Sequence, residues 1–322
     1  MIYLGIDTSC YTTSIAAVDE SGQVAAQRRK LLSVPDGQRG LRQSEGFYQH
    51  VNALPGLYRE MIEEIAGLIK IGALAVSARP RACAGSYMPV FYAGVRMAEM
   101  IAHTAGIQLI ETDHQSGHIC AALMGSALKS EHFLAVHLSG GTTEILEVYM
   151  KHGIPQCKIL LATGDISAGQ LIDRVGVALG FAFPAGKYMD DLAIRHEGIR
   201  IKLPYYVDNE KCSFSGTETA TMKAIQNGVE KEVIAEGIMA VVCKSLVHML
   251  YQAALRSGCM EVLLSGGVSS SKYLRATLQG ALAQKAPGIH VYFSDPALSA
   301  DNAVGTARIA WLRREQASER KE

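Results

Sequence analysis

The sequence lacks several features that mark other classes of protein. None of its seven cysteines forms a C-x-x-C pair, which excludes zinc-ribbon and thioredoxin-like sites and is typical of buried thiols in a reduced compartment. Charged residues make up only 19% of the chain, against 48% hydrophobic residues, which excludes a disordered protein. The 31 basic and 31 acidic residues cancel, so any polyanion must be met by a local patch or through a second protein.

Targeting and membrane signals are also missing. Met1 leads directly into an apolar run, without the basic and apolar segments of a signal peptide. No uncharged apolar stretch is long enough to span a bilayer. We therefore expect a cytoplasmic protein that does not bind membranes, and its 322 residues suggest two domains or one large one.

A nine-residue segment occurs twice. Asp7–Ile15 reads D-T-S-C-Y-T-T-S-I and His137–Ile145 reads H-L-S-G-G-T-T-E-I, and both lie between short apolar runs. Two such strand–turn–strand units predict two similar lobes, unless the match is a chance one between common turn residues. Turns that present hydroxyls and backbone N–H groups are natural phosphate holders. The matching pairs are Ser9/Ser139, Thr12/Thr142, Thr13/Thr143 and Ile15/Ile145.

Strands alternate with helices along the chain, which predicts an α/β protein. A looser insert, rich in Gly, Pro and aromatics, is expected at 181–221. The expected strands are Ile2–Ile6, Ser14–Asp19, Gln23–Lys30, Ala73–Ala78, Gln108–Glu111, Phe133–Ser139, Glu144–Tyr149, Gln156–Leu161, Val262–Leu264 and His290–Phe293. The expected helices are Phe47–Lys70, Tyr92–Ala105, one from about Asp113, Gly169–Leu179, Glu230–Arg256, Ser271–Lys285 and Asn302–Glu315.

The sequence His114-Gln-Ser-Gly-His118 is a candidate metal site. On a helix capped by Thr112 or Asp113, the two imidazoles lie on one face, within reach of one cation, although ordinary surface or core histidines are the commoner case. Asp301, before the last helix, is a candidate third ligand, but it could equally be an N-cap. Two histidines and a carboxylate with open positions suit iron or zinc and leave room for a substrate oxygen.

Two glycine pairs directly follow expected strands: Ser139-Gly140-Gly141-Thr142 and Ser265-Gly266-Gly267-Val268. Glycine lets the backbone approach a ligand closely, although such pairs also form ordinary turns. On the helix Gly169–Leu179, Asp173 could accept a hydrogen bond from a ribose hydroxyl, or it could be a solvated aspartate paired with Arg174 or its neighbours.

Seven blocks resemble, in order and spacing, the signature of the TsaD-type family, the transferases that complete threonylcarbamoyl-adenosine on tRNA. Members of this family were formerly described as O-sialoglycoprotein endopeptidases. The resemblance runs over essentially the whole chain. The blocks are L-G-I-D-T-S-C (Leu4–Cys10), H-Q-S-G-H (His114–His118), L-S-G-G (Leu138–Gly141), G-Q-L-I-D-R-V (Gly169–Val175), S-F-S-G (Ser213–Gly216), S-G-G-V (Ser265–Val268) and A-D-N-A (Ala300–Ala303).

The resemblance implies a duplicated two-lobe, actin- and sugar-kinase-like (ASKHA) α/β fold with a central cleft. The expected lobes are 1–112, completed by a helix at 302–316, and 113–301, with the insert at about 181–221. The resemblance implies one divalent metal, iron or zinc, on the residues that match His114, His118 and Asp301, and ATP or threonylcarbamoyl-AMP as the nucleotide. The family's nucleotide contacts map onto His137, Leu138, Ser139, Gly140, Gly141, Asp173, Gly186 and Ser271, and the two glycine pairs add Thr142, Gly266 and Gly267.

The chain departs from the family pattern at several positions. Because the metal residues are kept while several nucleotide- and tRNA-facing residues are not, we expect a diverged paralogue. The departures are Tyr11 and Thr12 in place of an acidic pair, Thr142 for histidine, Gln170 for glutamate, Glu218 for lysine, Ser271 for asparagine, and Arg79-Pro80-Arg81 for a G-P-G-L turn.

The leading hypothesis is a cytoplasmic, metal-dependent transferase that moves a (threonyl)carbamoyl group from an adenylate to an acceptor amine, which is tRNA adenine in the standard family. The alternatives are a non-catalytic nucleotide-binding scaffold subunit and the same transfer to another acceptor. Expected partners are an adenine nucleotide, tRNA through partner subunits, and a related ASKHA protein in a heterodimer. No catalytic residue is identified, and H-x-x-x-H lacks the general-base glutamate of a zinc peptidase.

Overall fold

The computed structural model describes residues 1–9, 11–34, 41–65, 70–83, 85–299 and 301–314. Cys10 and Ala300, which belong to two of the family-like blocks, and positions 315–316 of the predicted last helix lie outside the described residues. The chain forms two compact units: Met1–Met124 with Met150–Gln156 and the described residues after 300, and Gly125–Tyr149 with Cys157–Ser299. The lobe boundaries expected from the sequence stay a prediction.

Strands and helices alternate as the periodicity predicts. The strands are β1 (Ile2–Ser9), β2 (Thr12–Asp19), β3 (Val24–Leu31), β4 (Ile71–Arg79), β5 (Gln108–Asp113), β6 (His132–Leu138), β7 (Thr143–Lys151), β8 (Ile154–Thr163), β9 (Tyr206–Val207), β10 (Lys211–Ser213), β11 (Glu261–Ser265) and β12 (His290–Phe293). The helices are α1 (Gln43–Glu64), α2 (Phe91–Ala105), α3 (His114–Leu123), α4 (Ala168–Ala178), α5 (Gly186–Arg195), α6 (Ser215–Gln226), α7 (Lys231–Ser257), α8 (Lys272–Lys285) and α9 (Val304–Leu312).

The first unit contains a five-stranded sheet in the order β3-β2-β1-β4-β5. The first three strands are antiparallel neighbours, whereas β4 and β5 run parallel to β1. All eight residues of β1 are buried, as expected for a central strand covered on both faces. In the β1–β2 hairpin, Ser9 is paired with Thr12. This register places the polar end of β1 at the carboxyl edge of the sheet.

Glycines let α3 and α9 pack closely in the first unit. A Cβ atom added to Gly5 of β1 would lie 2.2 Å from the backbone nitrogen of Ala307 on α9. A Cβ atom added to Gly305 of α9 would lie 1.8 Å from the carbonyl oxygen of Gly117 on α3. Because no side chain separates the two helix backbones there, the start of α3 and the residues before α9 are held close together.

The second sheet has seven strands in the order β12-β11-β6-β7-β8-β10-β9. Its part β8-β7-β6-β11-β12 repeats the strand order of the first sheet, with an antiparallel β6–β7 hairpin and parallel β11 and β12. The N–H of Ser139 donates to the carbonyl oxygen of Thr142 at 2.9 Å, so these residues close the turn as Ser9 and Thr12 do. The duplication predicted from the repeated segment is confirmed at the level of topology.

The insert at 181–221 is more regular than the sequence suggests, because it contains α5, β9, β10 and the start of α6. Asp165, which follows β8, accepts hydrogen bonds from the backbone N–H groups of Phe214 and Ser215 at 2.9 and 3.1 Å. This carboxylate anchors the beginning of α6 from 49 residues away, and local sequence patterns carry no sign of such an anchor.

Helix α7 forms the centre of the second unit. It is long and apolar enough, by length and composition alone, to cross a membrane, but 78% of its most apolar window is buried inside the structure. Ile238, Val242 and Leu246 lie on its buried face with at most 1% exposure. Such burial is typical of a core helix rather than of a lipid-facing span.

Candidate functional site

The two histidines of H-x-x-x-H lie side by side on α3. The helix is capped by Asp113, whose carboxylate accepts a hydrogen bond from the N–H of Ser116 at 2.9 Å, as the sequence predicted. The spacing of four residues between the two histidines brings Nε2 of His118 to 2.9 Å from Nε2 of His114. Both side chains are largely buried, so two imidazole nitrogens face each other in a small space.

Asp301 completes this cluster and is not the N-cap of the last helix. Ala303 occupies the N-cap position of α9, and the side-chain oxygen of Asn302 accepts from the N–H of Val304 at 2.9 Å. The Oδ1 atom of Asp301 lies 3.2 Å from Nε2 of His118 and 3.7 Å from Nε2 of His114. The structure therefore brings the three predicted metal residues together.

Asp7 is a further member that the sequence reasoning missed. Its Oδ2 lies 2.8 Å from Nδ1 of His114, and its side chain is 1% exposed. Burial alone would raise the pKa of Asp7, but the charge and hydrogen bond of His114 hold that pKa below its usual value. A carboxylate in a fully buried strand was the available signal.

The charge balance of the cluster favours a cation. Burial opposes the positive form of His114, yet the neighbouring Asp7 and Asp301 carboxylates raise its pKa to about 9. In the neutral form of His114 whose Nδ1–H donates a hydrogen bond to Asp7, Nε2 carries a lone pair beside Nε2 of His118 and the Asp301 carboxylate. One ligand atom from each of the three residues lies within 4.8 Å of the others. This donor set, with a carboxylate behind one histidine, fits a divalent metal ion.

The first glycine pair, Gly140-Gly141, forms the turn between β6 and β7. The hydroxyl oxygen of Ser139 accepts from the N–H groups of Gly141 and Thr142 at 3.3 and 3.1 Å. A Cβ atom added to Gly140 or Gly141 would meet nothing within 4 Å, so the space above the turn is open. The turn thus presents backbone to an open surface, as a ligand loop requires.

The second glycine pair lies directly against the first turn. Gly266 has a φ of 92°, and a Cβ atom added there would lie 2.2 Å from the carbonyl oxygen of Leu138 at the end of β6. Gly267, by contrast, has open space within 4 Å of the Cβ position. Only glycine fits at 266, and its fit brings the two predicted loops together at the carboxyl ends of β6 and β11.

The N-terminus of α4 is docked on the first turn. The hydroxyl of Ser167, the N-cap of α4, donates to the carbonyl oxygen of Gly140 at 2.8 Å. A Cβ atom added to Gly169 would lie 2.4 Å from the carbonyl oxygen of Ser139. A helix N-terminus beside a glycine turn places the positive end of the helix dipole there, which suits a phosphate.

The remaining predicted nucleotide residues have structural contacts of their own. Asp173 does not pair with Arg174; its Oδ1 accepts from the N–H of Ala185 at 2.8 Å, directly before Gly186 at the start of α5. Ser271 caps α8, accepting from the N–H of Leu274 at 3.1 Å and donating to Asp190. His137, at the end of β6, lies 3.9 Å from the buried carboxylate of Glu144, and Leu138 is fully buried.

Two of the residues that depart from the family pattern form contacts within the second unit. Gln170 forms a capping box with Ser167 at the start of α4. Glu218 forms an ion pair with Arg174 at 3.2 Å. In the first unit, Tyr11 follows β1 and is 44% exposed. Gln170 and Glu218 therefore have local structural roles, whereas the side chain of Tyr11 lies at the surface.

Comparison with known proteins gives one consistent family. The family model described as tRNA N6-adenosine threonylcarbamoyltransferase (TsaD) matches residues 44–309. The tRNA N6-adenosine threonylcarbamoyltransferase of Neorickettsia sennetsu is 29% identical over 320 residues, covering 96% of this chain and 92% of the relative. The protein of that name from Geobacillus kaustophilus is 31% identical over 314 residues, covering 93% and 88%.

Solved structures support the fold. A ROK family glucokinase from Streptomyces griseus, in complex with glucose and AMPPNP, is similar with a TM-score of 0.53 and 12% identity, covering 96% of this chain and 99% of the glucokinase. At this identity the likeness concerns the fold alone. Together with the repeated strand order, it confirms the predicted α/β fold of the actin and sugar-kinase class.

Proposed function

The chain belongs to the TsaD family, and we propose that it is a metal-dependent tRNA N6-adenosine threonylcarbamoyltransferase. A threonylcarbamoyl group passes from an adenylate to the amino group of an adenosine in tRNA, the acceptor that the relatives' name specifies. The convergence of His114, His118 and Asp301 carries the proposal, because their ligand atoms lie within 4.8 Å of one another. We assign the enzyme to the cytoplasm, with tRNA delivered by partner subunits and a related ASKHA protein as a heterodimer partner.

In this proposal His114, His118 and Asp301 hold one divalent ion, iron or zinc. When bound, the ion supplies positive charge that polarises the carbamoyl carbonyl and stabilises the anhydride oxygens. Asp7 keeps the proton of His114 on Nδ1, at 2.8 Å, so that Nε2 presents its lone pair to the ion. Ser9 donates to the second oxygen of Asp301 at 3.4 Å and helps to orient that carboxylate.

The second unit binds the adenylate in this proposal. The turn from His137 to Thr142 receives the phosphate, supported by the open space at Gly140 and Gly141 and by the N-terminus of α4 behind them. Gly266 and Gly267 let the neighbouring loop approach the nucleotide. Asp173, through Oδ2, and Gly186 are assigned to the ribose side, and Ser271 to the far rim of the same site.

The reaction forms a bond between the acceptor nitrogen and the carbamoyl carbon. The bond from that carbon to the phosphate oxygen breaks, AMP leaves with the electron pair, and the amine gives up one proton. The residues of the chain bind and orient the two reactants, so positioning supplies much of the rate.

A second candidate function is a nucleotide-binding scaffold subunit or a transferase with another acceptor. The observation that favours it is the engagement of diverged residues: Glu218 pairs with Arg174, and Ser271 caps α8. A chain that keeps the metal residues but uses Glu218 and Ser271 for internal contacts could bind nucleotide without carrying out the standard transfer.

The proposal is tested by adding the purified full-length protein to a cell extract from which the host's TsaD-family enzyme has been removed. Threonylcarbamoyl-adenylate and unmodified tRNA are added, and threonylcarbamoyl-adenosine is measured by mass spectrometry of the digested tRNA. His114→Ala and Asp301→Ala are compared with Glu63→Gln, an exposed position on α1 in the same unit. Metal content is measured on each purified protein.

We expect modified tRNA from wild type and Glu63→Gln, and loss of both metal and product in the two site variants. Unchanged metal content in His114→Ala and Asp301→Ala overturns the metal assignment. A wild-type protein that holds metal and adenylate but forms no product overturns the standard reaction and favours the second candidate.

A further inference from the structure

A second group of metal-ligating side chains lies in the second unit. His132 begins β6, Glu147 lies on β7, and Cys259 lies in the turn between α7 and β11. Their ligand atoms all lie within 4.8 Å of one another. None of these residues belongs to a family-like block, and none contributes to the proposed transfer reaction.

The sheet register brings the three side chains together. His132 pairs with Tyr149 across the β6–β7 hairpin, and their rings stack with centroids 4.0 Å apart. Glu147, two residues along β7, lies on the same face, and its Oε1 is 3.1 Å from Nε2 of His132. Tyr149 donates a hydrogen bond to the same Oε1 at 3.0 Å. The ring stack and this hydrogen bond fix the imidazole and the carboxylate.

Cys259 approaches the same nitrogen of the imidazole. Its Sγ lies 3.0 Å from Nε2 of His132. In a cysteine–histidine–acid catalytic triad, the thiol and the carboxylate use opposite ring nitrogens. Here both converge on Nε2, at 3.0 Å from the thiol and 3.1 Å from the carboxylate. The three side chains are therefore arranged like metal ligands around one point, and not like the members of a catalytic triad.

We propose that His132, Glu147 and Cys259 form a second cation site, suited to a borderline-soft divalent metal, Zn²⁺ by preference. Imidazole nitrogen, carboxylate oxygen and thiolate sulfur are the donors that Zn²⁺ takes. Three protein ligands leave the fourth tetrahedral position to water. Tetrahedral Zn²⁺ separates such donors by about 3.3–3.6 Å, so a small outward movement of His132 accommodates the ion.

Exposure supports an exchangeable site. Glu147 and Cys259 are 8% and 5% exposed, whereas the side chain of His132 is 36% exposed and opens to solvent. Buried ligands exclude competing water, and the half-exposed imidazole gives the ion a path in. On binding, the thiol releases its proton to solvent, and the ion links β6, β7 and the turn after α7.

Cobalt provides the test, because a thiolate bound to Co²⁺ gives an intense charge-transfer absorption in the near ultraviolet. The site at His114, His118 and Asp301 has no sulfur ligand, so this band reports only the second site. The full-length protein is stripped of metal, titrated with Co²⁺ and then with Zn²⁺ as competitor. The variants are Cys259→Ser, His132→Ala and Glu147→Gln, with His114→Ala and the exposed Cys83→Ser as controls.

In wild type and in both controls we expect the band to saturate with one Co²⁺ bound at the second site, and Zn²⁺ to abolish it. Cys259→Ser should abolish the band, and His132→Ala and Glu147→Gln should weaken Co²⁺ binding at least tenfold. Circular dichroism of each metal-free variant distinguishes loss of ligand from loss of fold. A band that persists in Cys259→Ser, or that keeps wild-type affinity in both other site variants, overturns the proposal. Because His114→Ala leaves this site intact, its outcome is independent of the proposed transfer.

Discussion

Asp7 on β1 holds the imidazole of His114 on α3 through a contact of 2.8 Å between Oδ2 and Nδ1. The two residues are 107 positions apart in the chain, and the carboxylate is buried at the end of the central strand. A carboxylate behind a metal-binding histidine fixes its tautomer and ring orientation and makes the other nitrogen a better ligand. Asp7 is thus a positioning residue for the proposed metal rather than a ligand.

Asp7→Asn should lower metal affinity at the proposed site by about 10–100-fold, the usual effect of losing such a partner. The amide keeps the size of the side chain but removes the charge that holds the proton on Nδ1. Competition with a metal chelator measures the change. Glu63→Gln, exposed on α1, should bind metal as wild type does. Equal affinity in Asp7→Asn would mean that His114 needs no orienting carboxylate.

The sequence was sufficient for the fold because the relevant patterns are local. The repeated S-x-x-T segments mark two hairpins whose turns close between Ser9 and Thr12 and between Ser139 and Thr142. Spacing alone placed His114 and His118 on one face of α3. The role of Asp301 needed the structure, since only the contact from Asn302 to Val304 shows that another residue caps α9.

Residues that meet through sheet topology could not be found from the sequence. Asp7 reaches His114 because β1 lies two strands from β5, which leads into α3. His132 meets Cys259 across 127 residues, through the parallel pairing of β6 and β11. Neither pair has a spacing that a motif could record, so a carboxylate in a buried strand was the only hint in the first case.

Two glycine substitutions should separate ligand binding from folding in the second unit. Gly141→Ala adds a Cβ atom that meets nothing within 4 Å, so stability should stay within about 0.5 kcal/mol of wild type. The same methyl group occupies the space above the turn, and we expect adenylate affinity to fall at least tenfold. Calorimetric titration with a non-hydrolysable adenylate and urea unfolding measure the two effects. Wild-type affinity in Gly141→Ala would count against the phosphate loop.

Gly266→Ala should have the opposite result. The residue has a φ of 92°, and the added Cβ atom would lie 2.2 Å from the carbonyl oxygen of Leu138. Strain and overlap should cost at least about 2 kcal/mol in urea unfolding. Gly280→Ala, on α8 with nothing within 4 Å of the added atom, serves as the control and should gain about 0.5–1 kcal/mol.

Tyr273 should contribute strongly to stability through a buried carboxylate. Its hydroxyl donates to Oε1 of Glu236 at 2.8 Å, and Glu236 is 1% exposed. Arg200 reaches the same oxygen at 3.2 Å from an exposed position, so it screens the charge weakly. Tyr273→Phe should therefore cost about 1.5–3 kcal/mol in urea unfolding. In Glu236→Gln the charge is gone, and adding Tyr273→Phe should cost clearly less; equal costs in both backgrounds would show that the two residues are not coupled.

His50 should make the protein less stable in mild acid. It is fully buried on α1, with Nδ1 2.8 Å from the hydroxyl oxygen of Thr13. Burial lowers its pKa to about 4 from the ordinary 6.5, although the negative charge of Asp7 opposes this shift. Below pH 6.5 the unfolded chain binds a proton that the folded protein refuses until about pH 4. The free energy of unfolding therefore falls as pH decreases through this window, by an amount on the order of 3 kcal/mol.

His50→Asn should remove this part of the pH dependence, because asparagine does not titrate there while its side chain can still meet Thr13. Urea unfolding between pH 7 and pH 4 measures the slope, and the variant should lose less stability toward acid than wild type, even if it is less stable at pH 7. His103→Asn, on the exposed side of α2, should keep the wild-type slope. Parallel curves for wild type and His50→Asn would mean that His50 becomes protonated in the folded protein as readily as in the unfolded chain, and that its burial is relieved by local opening of α1.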